Sequence, residues 1–303
     1  MRTNPPAAAP PFVWQHHDLF QRAGFTLARH YDCPLVLFVD APIVWEASQW
    51  GTRRPGWARL LERRAERPQL READLVACVS EEVADAVVSR GADPSGVVVA
   101  PCTADRIRAA QPLGTQREIL GFADRVVVGW VGSFRAFHDA EAVVRSTAQL
   151  QQANPVALLM VGDGPTRQRC EELAAELGIA AAIFPGSVPH DRISEYLAAM
   201  DIAVIPSLDD TAFHYSPLKL KEYLAAGIAV VAPAIGEMER ELSDRKDAML
   251  YAAGDEGQMA AAIGGLVVDA DLRTRVAQAG QATYDRLFTM GRQLDDVSAR
   301  LGL

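Results

Sequence analysis

The chain has 303 residues, 30 of them Lys or Arg and 39 Asp or Glu, so it carries a formal charge of −9 and is 49% hydrophobic. That balance argues against bulk attraction to nucleic acid or to an anionic membrane surface, though not against a local basic pocket. The length suggests about two domains, and no apolar run reaches the roughly 18 residues of a membrane span.

The N-terminal segment "MRTNPPAAAPPF" places Pro where a signal peptide needs a continuous apolar core, so a cytoplasmic location is expected. Three strands are predicted before residue 124: "LVLFV" (35–39), "LVACVS" (75–80) and "VVVA" (97–100). Helical patterns at 57–73 and 81–91 lie between them, an alternation that predicts a parallel sheet with crossover helices. From residue 125 the β/α units come faster. Strands are predicted at 126–132, 156–162, 181–186, 202–207, 228–233 and 248–253, and helices at 139–152, 166–177, 191–199, 217–226 and 255–268. About six units make a complete doubly wound domain, whereas the first half holds only about three. The tail, 271–300, reads as amphipathic helix. Cys33, Cys78, Cys102 and Cys170 are scattered without metal-ligand spacing and are read as free thiols.

Four strand ends in the second half carry turns suited to a ligand. In "VVVGWVGSFRAFHD" (126–139), Gly132 lets a ligand approach the backbone, and Ser133, Arg135 and His138 add hydrogen-bonding groups. "VGDGP" (161–165) repeats the arrangement with Gly162, Asp163 and Gly164, although Asp163 serves equally well as a helix cap. "FPGSVPHDRI" (184–193) offers backbone around Val188 that could read a flat base, with His190 and Asp191 as helix-start residues. In "HYSPLKLKEYLAAG" (214–227), Ser216 is expected as N-cap and Pro217 as the first helical residue, a rigid start whose free N–H groups suit a diphosphate. Glu222 follows about one and a half turns in, where a carboxylate can accept two hydrogen bonds from a ribose diol. A solvated Lys219–Glu222 pair would account for those two residues, but not for four coincident turns.

In this order and spacing the four pieces resemble the donor-binding half of the retaining glycosyltransferases of family 4, of GT-B architecture. "VGSFRAFHD" resembles that family's first donor loop, and "SPLKLKEYLAAGIAVVAP" its diphosphate-binding helix start. The likeness is specific over about 125–285 and weaker over 13–46 and 71–107. The resemblance implies an α/β fold of two Rossmann-like domains: an incomplete acceptor-side domain (1–124), a nucleotide-sugar-binding domain (125–285), and a C-terminal helix (286–303) that packs back on the first. It implies transfer of a sugar from a UDP- or GDP-linked donor to an acceptor hydroxyl with retention, without a metal or bound cofactor.

Carried across by position, Glu222 matches the family's ribose-binding Glu, and the other acid of that E-x7-E motif is His214 here. Tyr215, Ser216, Pro217 and Leu218 match the loop that holds the diphosphate and sugar. Gly132, Ser133 and His138 match the first donor loop, and Gly162, Asp163 and Gly164 the second. Val188 matches the segment on the base. The family's usual Arg and Lys in the first loop are Ser133 and His138 here, which leaves Arg135 and Lys219, with His214, as the expected catalytic groups. Three functions stay open: an active transferase, a nucleotide-sugar-binding subunit that needs a partner chain or a second copy, and an epimerase, which the SPLKL-type loop disfavours. The partners implied are a nucleotide sugar and an acceptor the sequence does not identify, with no nucleic acid.

Overall fold

The computed structural model describes residues 9–49, 56–105, 113–122, 124–209 and 216–303. The chain divides into two compact units. The first holds four parallel strands in the order β1 (Val13–His16), β2 (Leu35–Val39), β3 (Leu75–Cys78) and β4 (Val97–Val99). β2 and β3 are buried throughout, as strands covered on both faces must be, and their continuous apolar runs made them readable. β1 was not predicted. It pairs Val13 with Leu35 and His16 with Phe38, but only Gln15 of its four residues is buried, so it shows neither alternation nor an apolar run. A buried amide ties it down: the Gln15 side chain accepts from Gly24 N–H at 2.6 Å and donates to Gln21 O at 2.8 Å.

The helix predicted over 57–73 is a composite. Ala58–Leu61 and Arg67–Glu72 flank a π-helical turn at Glu62–Glu66. Pro68 lacks the N–H for an i→i−4 bond and its ring crowds the preceding turn, which the wider turn relieves. The C-terminal helix Met290–Leu301 belongs to this first unit. Val297 is fully buried with Phe25, Val36 and Val87, and Gln293 Nε2 donates to Pro101 O at 2.8 Å.

The second unit holds β5 (Val126–Val131), β6 (Val156–Val161), β7 (Ala182–Gly186), β8 (Ile202–Val204), β9 (Ala229–Pro233) and β10 (Met249–Tyr251). All are parallel, in the order β10-β9-β8-β5-β6-β7. Counted within the unit this is 6-5-4-1-2-3, the dinucleotide-fold order, whose strand sequence reverses between β5 and β8. The core on one face includes Val128, Trp130, Leu158, Val231 and Ile263. The tail is two helices rather than one: Ala270–Leu287 ends where Phe288 turns into the core, 1% exposed, and Met290–Leu301 restarts after it. No helix among the described residues is long and apolar enough to cross a membrane.

Candidate functional site

In an open α/β sheet the carboxyl ends of the strands at the order reversal form a crevice, and here those are the ends of β5 and β8. The helix Leu218–Ala225, which follows β8, is pinned to the end of β5. The buried Tyr223 hydroxyl accepts from Val131 N–H at 2.8 Å, so Lys219 and Glu222, on the same helix, are held beside the first loop. The helix starts one residue later than expected, at Leu218, with Pro217 in the cap position, because the Ser216 hydroxyl faces the other way and accepts from Cys102 N–H at 3.1 Å.

The Lys219 ammonium lies 4.8 Å from the ring centroid of Trp130, the last buried residue of β5. A Cβ on Gly132 would come within 2.8 Å of the indole and 2.9 Å of that ammonium, so the position admits only glycine. Trp130 is fully buried and also packs edge-on against Phe134 and His138, at 4.7 and 6.1 Å. His138 Nε2 stands 3.4 Å from the Ser133 hydroxyl, at the end of a short turn, Ala136–His138, that begins with the exposed Arg135. Burial, then Lys219 and Arg135, push the His138 imidazole down to about 4. Burial likewise pushes Lys219 down to about 8, against the pull of Glu222. Burial raises Glu222, with His190 and Lys219 drawing it back. Among the described residues no carboxylate lies within ion-pair distance of Lys219 or Arg135. Two cations and an imidazole therefore converge on one loop with their charge unbalanced, an arrangement that favours an anion.

The second loop braces the first. Gly162 has φ +126°, and a Cβ there would stand 1.9 Å from Gly132 O; Gly164 has φ +152°, with Phe134 N only 2.8 Å from its Cβ position. Phe134 N–H donates to Asp163 O at 3.0 Å, and Thr166 N–H donates to Phe134 O at 2.9 Å. The Asp163 carboxylate is 60% exposed and accepts from its neighbour's Gly164 N–H at 2.8 Å. These three residues hold the loop that carries Gly132, Ser133 and His138.

Beside Glu222 opens a cavity of about 370 Å³, walled by Ala104, His190, Ile193, Ser194 and the exposed Leu218. Val188 lies two residues before His190 and is not among the described residues on this wall. Sequence reasoning read His190 as a helix-start residue and passed over Ser194 and Ala104, the last of which is held in place by Tyr284, whose hydroxyl donates to Ala104 O at 2.6 Å. The i, i+4 spacing of Leu218 and Glu222 was the available signal. His214 and Tyr215 lie outside the described residues.

The chain resembles known proteins in both sequence and fold. Residues 125–269 match the family model described as glycosyl transferases group 1. The D-inositol 3-phosphate glycosyltransferase of Stackebrandtia nassauensis is 31% identical over 242 residues, 75% of this chain and 53% of that protein. The 2-deoxystreptamine N-acetyl-D-glucosaminyltransferase of Streptomyces fradiae is 29% identical over 71% of this chain and 52% of its own length. The chain thus spans about half the length of the curated relatives it matches. Among solved structures, Anabaena Alr3699/HepE in complex with UDP superposes with a TM-score of 0.73 at 20% identity, covering 92% of this chain and 75% of that one. Sucrose-phosphate synthase of Thermosynechococcus elongatus gives 0.70 at 21% identity, over 96% and 73%. The α/β architecture of two parallel sheets is that of GT-B glycosyltransferases.

Proposed function

Because residues 125–269 are a glycosyl transferases group 1 domain, we propose that the chain binds a nucleoside-diphosphate sugar and transfers the sugar to an acceptor hydroxyl with retention of configuration. The observation that carries this reading is the convergence of Lys219, His138 and Arg135 on the Gly132 loop at the strand-order reversal. The diphosphate lies over that loop and the start of the Leu218–Ala225 helix. Glu222 takes the ribose diol, and the base enters the cavity beside Leu218 and His190.

In the transfer, the bond from the anomeric carbon to the diphosphate oxygen breaks and a bond to the acceptor oxygen forms on the same face. The acceptor proton passes to the departing phosphate oxygen. Charge grows on the leaving group, and Lys219, Arg135 and the helix N-terminus stabilise it. Within this reading no metal is required, because those groups supply the positive charge, and UDP- or GDP-linked sugars are the donors.

Calorimetric titration of UDP, GDP and dTDP into the wild type and Glu222→Ala tests the proposal. We expect one nucleotide to bind the wild type and to lose about 10- to 100-fold in the variant, the cost of hydrogen bonds to a charged group. No binding of any of the three to the wild type refutes it. A second reading, a donor-binding unit that transfers only with a further chain, is favoured by His214 at the place of the family's acid. It predicts the same titration without turnover of UDP-sugar or GDP-sugar.

A further inference from the structure

The helix Leu218–Ala225 carries Lys219 and Glu222 but has only 8 residues, and among the described residues no side-chain hydrogen bond caps its start. A helix shorter than about 12 residues is marginal on its own in water, so its orientation comes from what its buried side chains grip. Lys219 and Tyr223, four apart, share the side that meets β5, where the ammonium lies over Trp130 and the Tyr223 hydroxyl accepts from Val131 N–H. Lys221 points the other way, about 200° round the helix from Lys219. It is fully buried and forms an ion pair with the buried Glu237, on the helix Gly236–Glu241 that follows β9. Its ammonium also lies 4.8 Å from the ring centroid of Phe288.

An apolar pair of the same volume would fill this space at no greater free energy, because desolvation cancels most of the attraction between two buried charges. Apolar packing lacks direction, however. A hydrogen-bonded ion pair holds both ends at one length, whereas methyl groups slide past one another. The single hydrogen bond between Tyr223 and Val131 leaves the helix free to turn about that point, and a directional contact on the opposite side stops it. The turn matters at Glu222. Side-chain tips stand roughly 5–6 Å from a helix axis, so a rotation of about 10° moves the Glu222 carboxylate by about 1 Å. A misplacement of that size can cost about 100-fold in a reaction that depends on position. We propose that Lys221 and Glu237 are positioning residues, a buried lock on the rotation of this helix that sets Glu222 for the ribose diol. The lock rests on the donor-site reading above and requires no contact between either residue and the ligand.

The test compares UDP and GDP with their 2′-deoxy forms, by calorimetry on the full chain, in the wild type, Glu222→Ala and Lys221→Met/Glu237→Leu. The wild type should prefer the ribose form of the nucleotide it binds by about 10-fold or more, the worth of hydrogen bonds to a charged group. The double variant replaces the ion pair with apolar side chains, so its melting temperature should hold or rise. Its ribose preference should nevertheless fall to that of Glu222→Ala. Adding Glu222→Ala to the double variant should cost less affinity than it costs the wild type, the non-additivity of residues that act through one contact. Glu237→Asp keeps both charges and shortens the reach by one methylene; it too should lower the preference, and it decides the matter if the double variant does not fold. An unchanged ribose preference in these variants, or an equal loss for ribose and deoxyribose forms, overturns the lock alone and makes the pair purely structural. Absence of nucleotide binding to the wild type overturns the donor-site reading and the lock with it.

Discussion

Lys219 and Trp130 form a stacked pair, ammonium over indole at 4.8 Å, and Gly132 is the only residue type that fits between them and the open loop. The Gly132 loop and the helix that faces it are thus joined by contact rather than merely close. Gly132→Ala drives a methyl group into the rigid indole and the flexible Lys219 tip. We expect a loss of about 1–3 kcal/mol in stability and at least about tenfold in UDP affinity. Gly162→Ala is worse, because its Cβ would strike a backbone carbonyl at 1.9 Å from a left-handed φ, and about 3 kcal/mol or more should be lost. Thermal melts of both variants, followed by calorimetry on the one that folds, read the contrast.

Lys219→Met should separate binding from stability. The ammonium is held at about 8 by burial, well below its ordinary 10.5, so near neutral pH the fold bears the cost of a buried charge. Replacing it with a thioether of similar length removes that cost, and the empty protein should gain about 2 kcal/mol while UDP binding is lost. The wild type should also gain stability as pH rises from about 8 towards 10.5, where the folded form has released the proton and the unfolded form has not. In the variant this slope should vanish; denaturant titrations at several pH values measure both effects.

His138 gives a second pH signature, at the acid end. Its pKa is depressed from 6.5 to about 4, so the unfolded chain binds the proton more readily. The stability tied to the neutral imidazole is complete above 6.5 and is lost as pH falls through about 4; with the ring partly exposed, this amounts to about 1–2 kcal/mol after solvent screening. A diphosphate reverses the sign by bringing negative charge to the ring, which should then take up a proton on binding. Calorimetry in buffers of different ionisation enthalpy should show net uptake near pH 6 for wild type and less for His138→Gln, and equal uptake in the two proteins would remove His138 from the diphosphate contact.

Asp139 occupies a left-handed conformation, φ +46°, at the junction of the His138 turn and the helix Ala140–Leu150. Its carboxyl is raised by burial, with Glu256 and Glu141 adding to that against Arg145, so backbone and side chain are both under strain. Asp139→Gly relieves both at the cost of a more flexible unfolded chain, and we expect a net gain of about 0.5–1 kcal/mol. A higher melting temperature at unchanged UDP affinity would be the outcome, and a lower one would mean that the Arg145 contact dominates.

Much of the second unit's architecture was legible because parallel strands buried on both faces leave continuous apolar runs, and β6 and β9 are such runs. The Gly132, Gly162 and Gly164 turns were legible for their backbone freedom, but the division of labour between them was not. That Gly162 and Gly164 serve the first loop follows from cross-strand contacts with no sequence period. β1 escaped because a four-residue half-buried strand leaves no pattern, and the late helix start because the Ser216 hydroxyl found a partner 114 residues away. Lys221 shows the same limit. A lysine ordinarily stays in water, yet this one is fully buried, ion-paired with Glu237 and 4.8 Å over the ring of Phe288.

That burial bears on the extent of the second unit. The family match ends at residue 269, but the helix Ala270–Leu287 packs on β9 and on the helix of Lys219 and Glu222. Gln281 Nε2 donates to Ala225 O at 3.2 Å, Tyr284 steadies the cavity wall at Ala104, and Phe288 covers the Lys221 ammonium. A fragment cut at 269 would keep every loop of the recognisable motif and lose the floor beneath them, so the smallest piece that keeps the second unit's packing runs through Phe288.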